Sequence, residues 1–94
     1  MQAERTFIVP NKEGVHARPA AQIVRVANKY SECNLTVENG NGVRANAKSI
    51  ISVMMLAAGK GAILRFFADG ENAECLLSDI EALFKNNLGE KNEK

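Results

Sequence analysis

The sequence predicts an α+β sandwich of two layers, in which four short antiparallel strands form an open sheet covered on one face by three helices, in the order βαββαβα. Three observations predict it. Two stretches, 33–37 and 64–68, alternate apolar with polar or outward side chains at the period of a half-buried strand. Two others, 17–30 and 73–88, repeat apolar residues at helical spacing. Clusters of Pro, Asn and Gly separate these stretches at short intervals, with neither a linker nor an internal repeat between them.

Taken in order, Arg5 to Val9 is β-branched and aromatic and reads as the first strand, ended by the turn formers Pro10-Asn11-Lys12-Glu13-Gly14. The first helix begins near His16 and runs from Ala17 to Tyr30. Its apolar side is Ala17, Ala20, Val24 and Ala27, joined by Ile23, Val26 and Tyr30, and Pro19 falls in the first turn, where its missing N–H has no intrahelical acceptor to lose. Cys33, Leu35 and Val37 form the inner side of a second strand. Asn39-Gly40-Asn41-Gly42 then reverses the chain into a short return strand, Val43 to Ala45. A second helix, N-capped near Ser49, covers Ile50 to Ala58 and is stopped by Gly59. Leu64, Phe66 and Ala68 mark the last strand, closed by Asp69-Gly70. Ala73, Leu76, Leu77, Ile80, Leu83, Phe84 and Leu88 line one face of a last helix capped by Gly89. The expected layout is a single domain over 1–94, with an ordered core at about 5–88 and a frayed tail at 89–94.

At 94 residues, with 46% hydrophobic and 24% charged positions, the chain has the composition of one small globular domain and excludes a multidomain enzyme. Twelve basic against eleven acidic residues leave a formal charge of +1, too little to bind nucleic acid by field alone. The longest apolar stretch, Ile50 to Ala58, is far short of the roughly 20 residues of a membrane span. The first residues lack the basic head and apolar run of a secretory signal. Cys33 and Cys75 therefore read as buried thiols in a reducing compartment, and a cytoplasmic location is expected.

His16 is the sole histidine, placed just after Gly14 and at the expected start of the first helix. Free backbone N–H groups and the helix dipole favour an anion there, and Arg18 could add a guanidinium to it. An imidazole so placed can act as a nucleophile toward a phosphoryl donor, hold the group covalently and release it to a second acceptor. Ser49 is first of all an N-cap, but the same helix end would tolerate a phosphate beside the apolar residues that follow. Ile50, Ile51 and Met54 are more apolar side chains than one side of a short helix can bury, which makes them a candidate docking patch. Gly59-Lys60-Gly61 lacks the rest of a Walker loop, one His with two distant Cys makes no zinc framework, and no cofactor or metal is expected.

Two segments together resemble one family. Gly14-Val15-His16-Ala17-Arg18-Pro19-Ala20-Ala21 is similar to the active-site motif of HPr, the histidine-containing phosphocarrier protein of the bacterial phosphoenolpyruvate-dependent phosphotransferase system. Asn46-Ala47-Lys48-Ser49-Ile50-Ile51-Ser52-Val53-Met54 resembles the stretch carrying that family's regulatory serine. The likeness spans roughly Arg5 to Leu88, with Val15 where leucine is commoner and Ser52 where glycine is frequent. It implies an open-faced β-sandwich and a carrier, not an enzyme. His16 would accept phosphate on Nδ1 from enzyme I and Arg18 would support it, before transfer to a IIA component. Ser49 would be the target of an HPr kinase/phosphorylase, and Ile50, Ile51 and Met54 would dock these partners. A monomer is expected. The nitrogen-related branch of the family (NPr), or a regulatory binding module of the same fold without histidine phosphotransfer, are the alternatives.

Overall fold

The structure is a computed structural model and describes residues 2–90. Its elements are β1 (Gln2–Ile8), α1 (Ala17–Asn28), β2 (Cys33–Glu38), β3 (Arg44–Asn46), α2 (Ile50–Met54), β4 (Ile63–Gly70) and α3 (Ala73–Lys85), followed by a 3₁₀ turn at Asn87–Gly89. The strands form one antiparallel sheet in the order β1-β4-β2-β3. Each strand turns alternate side chains to the helices, so Leu35, Val37, Leu64, Phe66 and Ala68 are buried while Glu4, Arg65 and Asp69 face outward. From the other side, α1 contributes Ala20, Ile23 and Ala27, and α3 contributes Ala73, Leu76, Leu77 and Ile80. Phe7, Phe66 and Phe84 close one end of this core, with ring centroids 5.0–5.9 Å apart. The α+β class, the element order and the single covered face match the expectation.

Several boundaries differ from it, each for a local reason. β1 starts three residues earlier than the composition suggests, because β4 offers Gln2, Ala3 and Glu4 register partners at Asp69, Ala68 and Phe67. α1 ends at Asn28 instead of Tyr30, and β3 covers 44–46 instead of 43–45, since Val43 still belongs to the reversal, where its N–H donates to Asn39 Oδ1 at 3.0 Å. The second helix stops at Met54, well before Gly59. Ala57 adopts a left-handed φ of 51°, which lets Leu56 and Ala58 both reach the core. Likewise α3 ends at Lys85 and not at Gly89. Asn87 and Leu88 both take positive φ, and this reversal folds Leu88 back into complete burial against the core. Cys33 is buried as expected, but Cys75 is exposed, because it lies on the outward side of α3.

These departures shape the site. Backbone hydrogen bonds tie Val9 to the chain entering β4 at the end of β1 (Val9 N to Ala62 O, Gly61 N to Val9 O, both 2.9 Å). Gly14, at φ +75°, lies so close to the chain after α2 that a Cβ would stand 2.5 Å from Ala58 O. Val15 N donates to that same carbonyl at 2.8 Å. The loop carrying His16 is thereby pinned to the α2–β4 connection by backbone, and only glycine fits at the point of closest approach.

Candidate functional site at the start of helix α1

His16 is the N-cap of α1, with extended backbone (φ −85°, ψ −165°), and its carbonyl accepts the first helical bond from Ala20 N at 2.9 Å. Its side chain makes no capping bond, so the imidazole is turned outward and is 42% exposed. With Pro19 lacking a donor, the N–H groups of Ala17 and Arg18 are the open helix-end donors beside it, and an oxyanion there meets both amides and the positive end of the dipole. Arg18 stands one step into the helix, its side chain 73% exposed and able to swing. Val15 and Pro19, on either side, are buried and anchor the segment.

Around His16 the structure places residues that the sequence reading passed over. Glu90 Oε1 lies 2.8 Å from His16 Nε2 and accepts a second bond from Asn11 Nδ2 at 3.2 Å. Its other oxygen, Oε2, is 4.0 Å from Arg18 Nη1. Glu90 was expected in a frayed tail. Instead the left-handed turn at Asn87 and Leu88 brings it back across the end of α1, while residues 91–94 of that tail lie outside the described residues. The imidazole hydrogen bond first, then that of Asn11, with a weaker charge attraction from Arg18, hold the Glu90 carboxyl below its ordinary range against the opposing effect of burial, so it is a carboxylate. Asn11 is 1% exposed, and its amide nitrogen also donates to Gly14 O at 2.7 Å. With both N–H groups facing acceptors, the amide has one tenable orientation, and it ties the glycine turn to Glu90. His16 and Arg18 thus share a shallow depression with Asn11, Lys12, Asn87 and Glu90.

A family model described as "PTS HPr component phosphorylation site" matches residues 3–86. The phosphocarrier protein HPr of Treponema pallidum is 42% identical over 87 residues, which cover 93% of this chain and 97% of that one. The chain belongs to the HPr family. Among solved structures, the crystal structure of HPr-C-His from Thermoanaerobacter tengcongensis superposes with a TM-score of 0.87 at 36% identity, covering 96% of this chain and 99% of that one. The multiphosphoryl transfer protein of Haemophilus influenzae is 37% identical over 89 residues, a stretch that covers 93% of this chain but 18% of that protein. The resemblance read from the two sequence segments is borne out. The chain is an HPr phosphocarrier of the phosphotransferase system, and HPr proteins are carriers, not enzymes.

Of the other residues singled out from sequence, Ser49 is the N-cap of α2 and its Oγ accepts from Ser52 N at 3.3 Å. Ile50, Ile51 and Met54 are exposed by 41, 72 and 40%, and Met55, not singled out from sequence, by 76%. Val53, Leu56 and Ala58 account for the buried side of this segment. The apolar residues therefore divide into a core group and a solvent-facing group. α2 packs beside α1, but neither Ser49 nor this group lines the His16 depression. Among the described residues, no helix is long and apolar enough to cross a membrane.

Proposed function

We propose that this HPr phosphocarrier takes a phosphoryl group on Nδ1 of His16 from enzyme I and passes it to a histidine of a IIA component. The observation that carries the reading is the exposed His16 imidazole at the open end of α1, with Arg18 two residues further on. A carrier must admit a donor and an acceptor in turn, so its reactive atom must be shallow. In the transfer, the Nδ1 lone pair attacks phosphorus, and the bond from phosphorus to the donor atom breaks with its electron pair returning to the donor. The amides of Ala17 and Arg18 and the Arg18 guanidinium stabilise the charge on the phosphoryl oxygens.

The exposed group Ile50, Ile51 and Met54 supports its role as the docking patch for these partners, since such side chains gain by desolvation only when another protein covers them. Ser49 is the proposed site of regulatory phosphorylation by an HPr kinase/phosphorylase. A phosphate there would set about two negative charges at the edge of that patch and hinder docking. The reading places the protein in the cytoplasm as a monomeric single domain. The test is to incubate it with enzyme I and phosphoenolpyruvate, with a known HPr as control. The expected result is one acid-labile phosphate by intact mass, absent in His16→Ala. A labelled control beside unlabelled protein would overturn the reading.

A further inference from the structure

The Glu90 contact bears on the chemistry of the ring. A carboxylate only accepts hydrogen bonds, so the 2.8 Å approach of Glu90 Oε1 to Nε2 places a proton on that nitrogen. In a neutral imidazole the other nitrogen, Nδ1, then carries the lone pair. This is the nitrogen that the proposed function requires as nucleophile, and the inference rests on that reading. The carboxylate is itself held in place. Asn11, buried beneath the glycine turn, donates to the same oxygen, and the turn through Asn87 and Leu88 fixes where the chain arrives. Buried Leu88 anchors this return only two residues before Glu90.

We infer that Glu90 is a positioning residue for phosphoryl transfer, which holds the Nε2 proton so that Nδ1 faces the donor and which stabilises the ring as it becomes cationic. As Nδ1 bonds to phosphorus the ring keeps its Nε2 proton and gains a positive charge, which the carboxylate faces directly. No proton changes place. The arrangement parallels the buried aspartate of hydrolase triads, which orients an imidazole and stabilises its charged form without being protonated. Here the site is partly open, so the effect is smaller. Arg18, 4.0 Å from the other carboxylate oxygen, is held loosely enough to turn to the incoming phosphate.

The test compares wild type, Glu90→Gln and Glu90→Ala in two measurements. Imidazole nitrogen shifts of ¹⁵N-labelled protein report where the ring proton sits. Initial rates of labelling by enzyme I and phosphoenolpyruvate report the transfer. In the wild type, Nε2 is expected to show the shift of a protonated nitrogen and Nδ1 that of a lone-pair nitrogen. In Glu90→Ala both are expected to move toward the averaged values of a free imidazole, with the remaining amide spectrum unchanged. Labelling is expected to slow about tenfold in Glu90→Ala, as for loss of a charge-assisted hydrogen bond at a partly exposed site, and less in Glu90→Gln, which keeps an acceptor oxygen. An unchanged rate in Glu90→Ala overturns the inference. If the wild type is not labelled while a control HPr is, the proposed function fails; averaged nitrogen shifts in the wild type would then overturn the inference separately, and a fixed Nε2 proton lost in Glu90→Ala would uphold the placement.

Discussion

Helices α1 and α2 begin alike and use their first side chains in opposite ways. Both N-caps, His16 and Ser49, have extended backbone. Ser49 turns its oxygen inward to Ser52 N, which helps hold together a helix of five residues. His16 makes no such bond, and α1, twelve residues long with five of them buried, does not need one. A long helix secured by its buried face can leave its first side chain free for chemistry. A one-turn helix cannot do so without weakening itself. The same contrast holds in the neighbouring chain, for the His16 loop is pinned by buried Asn11 and by Gly14 against Ala58, while α2 presents most of its apolar side chains to solvent.

This difference can be broken or sharpened at named positions. The largest effect is expected from His16→Ala, which should remove labelling altogether yet leave thermal stability nearly unchanged, because the imidazole does not cap α1; a large fall in Tm would contradict the contrast. Gly14→Ala should come next. It forces alanine to a φ of +75° and into the Ala58 carbonyl, which costs about 1–3 kcal/mol for the backbone conformation before any clash is counted, and chemical denaturation with labelling rates should show both stability and transfer reduced. Ser49→Ala should do the reverse of His16→Ala. Loss of the cap costs about 1 kcal/mol, while labelling of His16 by enzyme I proceeds at the wild-type rate. Ile51→Ser, at a side chain 72% exposed, should leave the denaturation midpoint in place and raise the KM for enzyme I, and an unchanged KM would remove Ile51 from the docking patch.

The smallest expected effect is electrostatic. His16 and Asn11 hold the Glu90 carboxyl below its ordinary 4.5, so the folded protein favours the ionised form. The contact therefore contributes above pH 4.5 and is lost as pH falls through the depressed value. Because the pair is partly exposed, salt should weaken it. A carboxyl titration followed by NMR should show Glu90 returning toward 4.5 in His16→Ala. Identical titrations in the two proteins would mean that the imidazole is not its main partner.

The layers of the fold were legible because alternation in β2 and β4 and helical spacing in α1 and α3 are written over many residues, each repeating the same message about one buried face. His16, Arg18 and Ser49 were legible because a helix start has a local signature. What escaped depends on single residues in unusual backbone. Ala57, Asn87 and Leu88 take positive φ without being glycine, so the ends of α2 and α3 were placed at the nearest glycines, Gly59 and Gly89. That misplacement concealed Glu90, whose role exists only because the chain turns back at Asn87. Asn11 was read as a turn former, which it is. Its second use, as the buried amide linking Gly14 to Glu90, depends on a partner 79 residues away, and no local pattern contains it.

The end of α1 is proposed to present one nitrogen of one histidine to a phosphoryl donor. A nitrogen–phosphorus correlation spectrum of the ¹⁵N-labelled protein, taken after incubation with enzyme I and phosphoenolpyruvate, tests this. A single coupling from phosphorus to Nδ1 of His16 is expected, with Nε2 still protonated. Phosphorus coupled to Nε2, or bound to a residue other than His16, would contradict it.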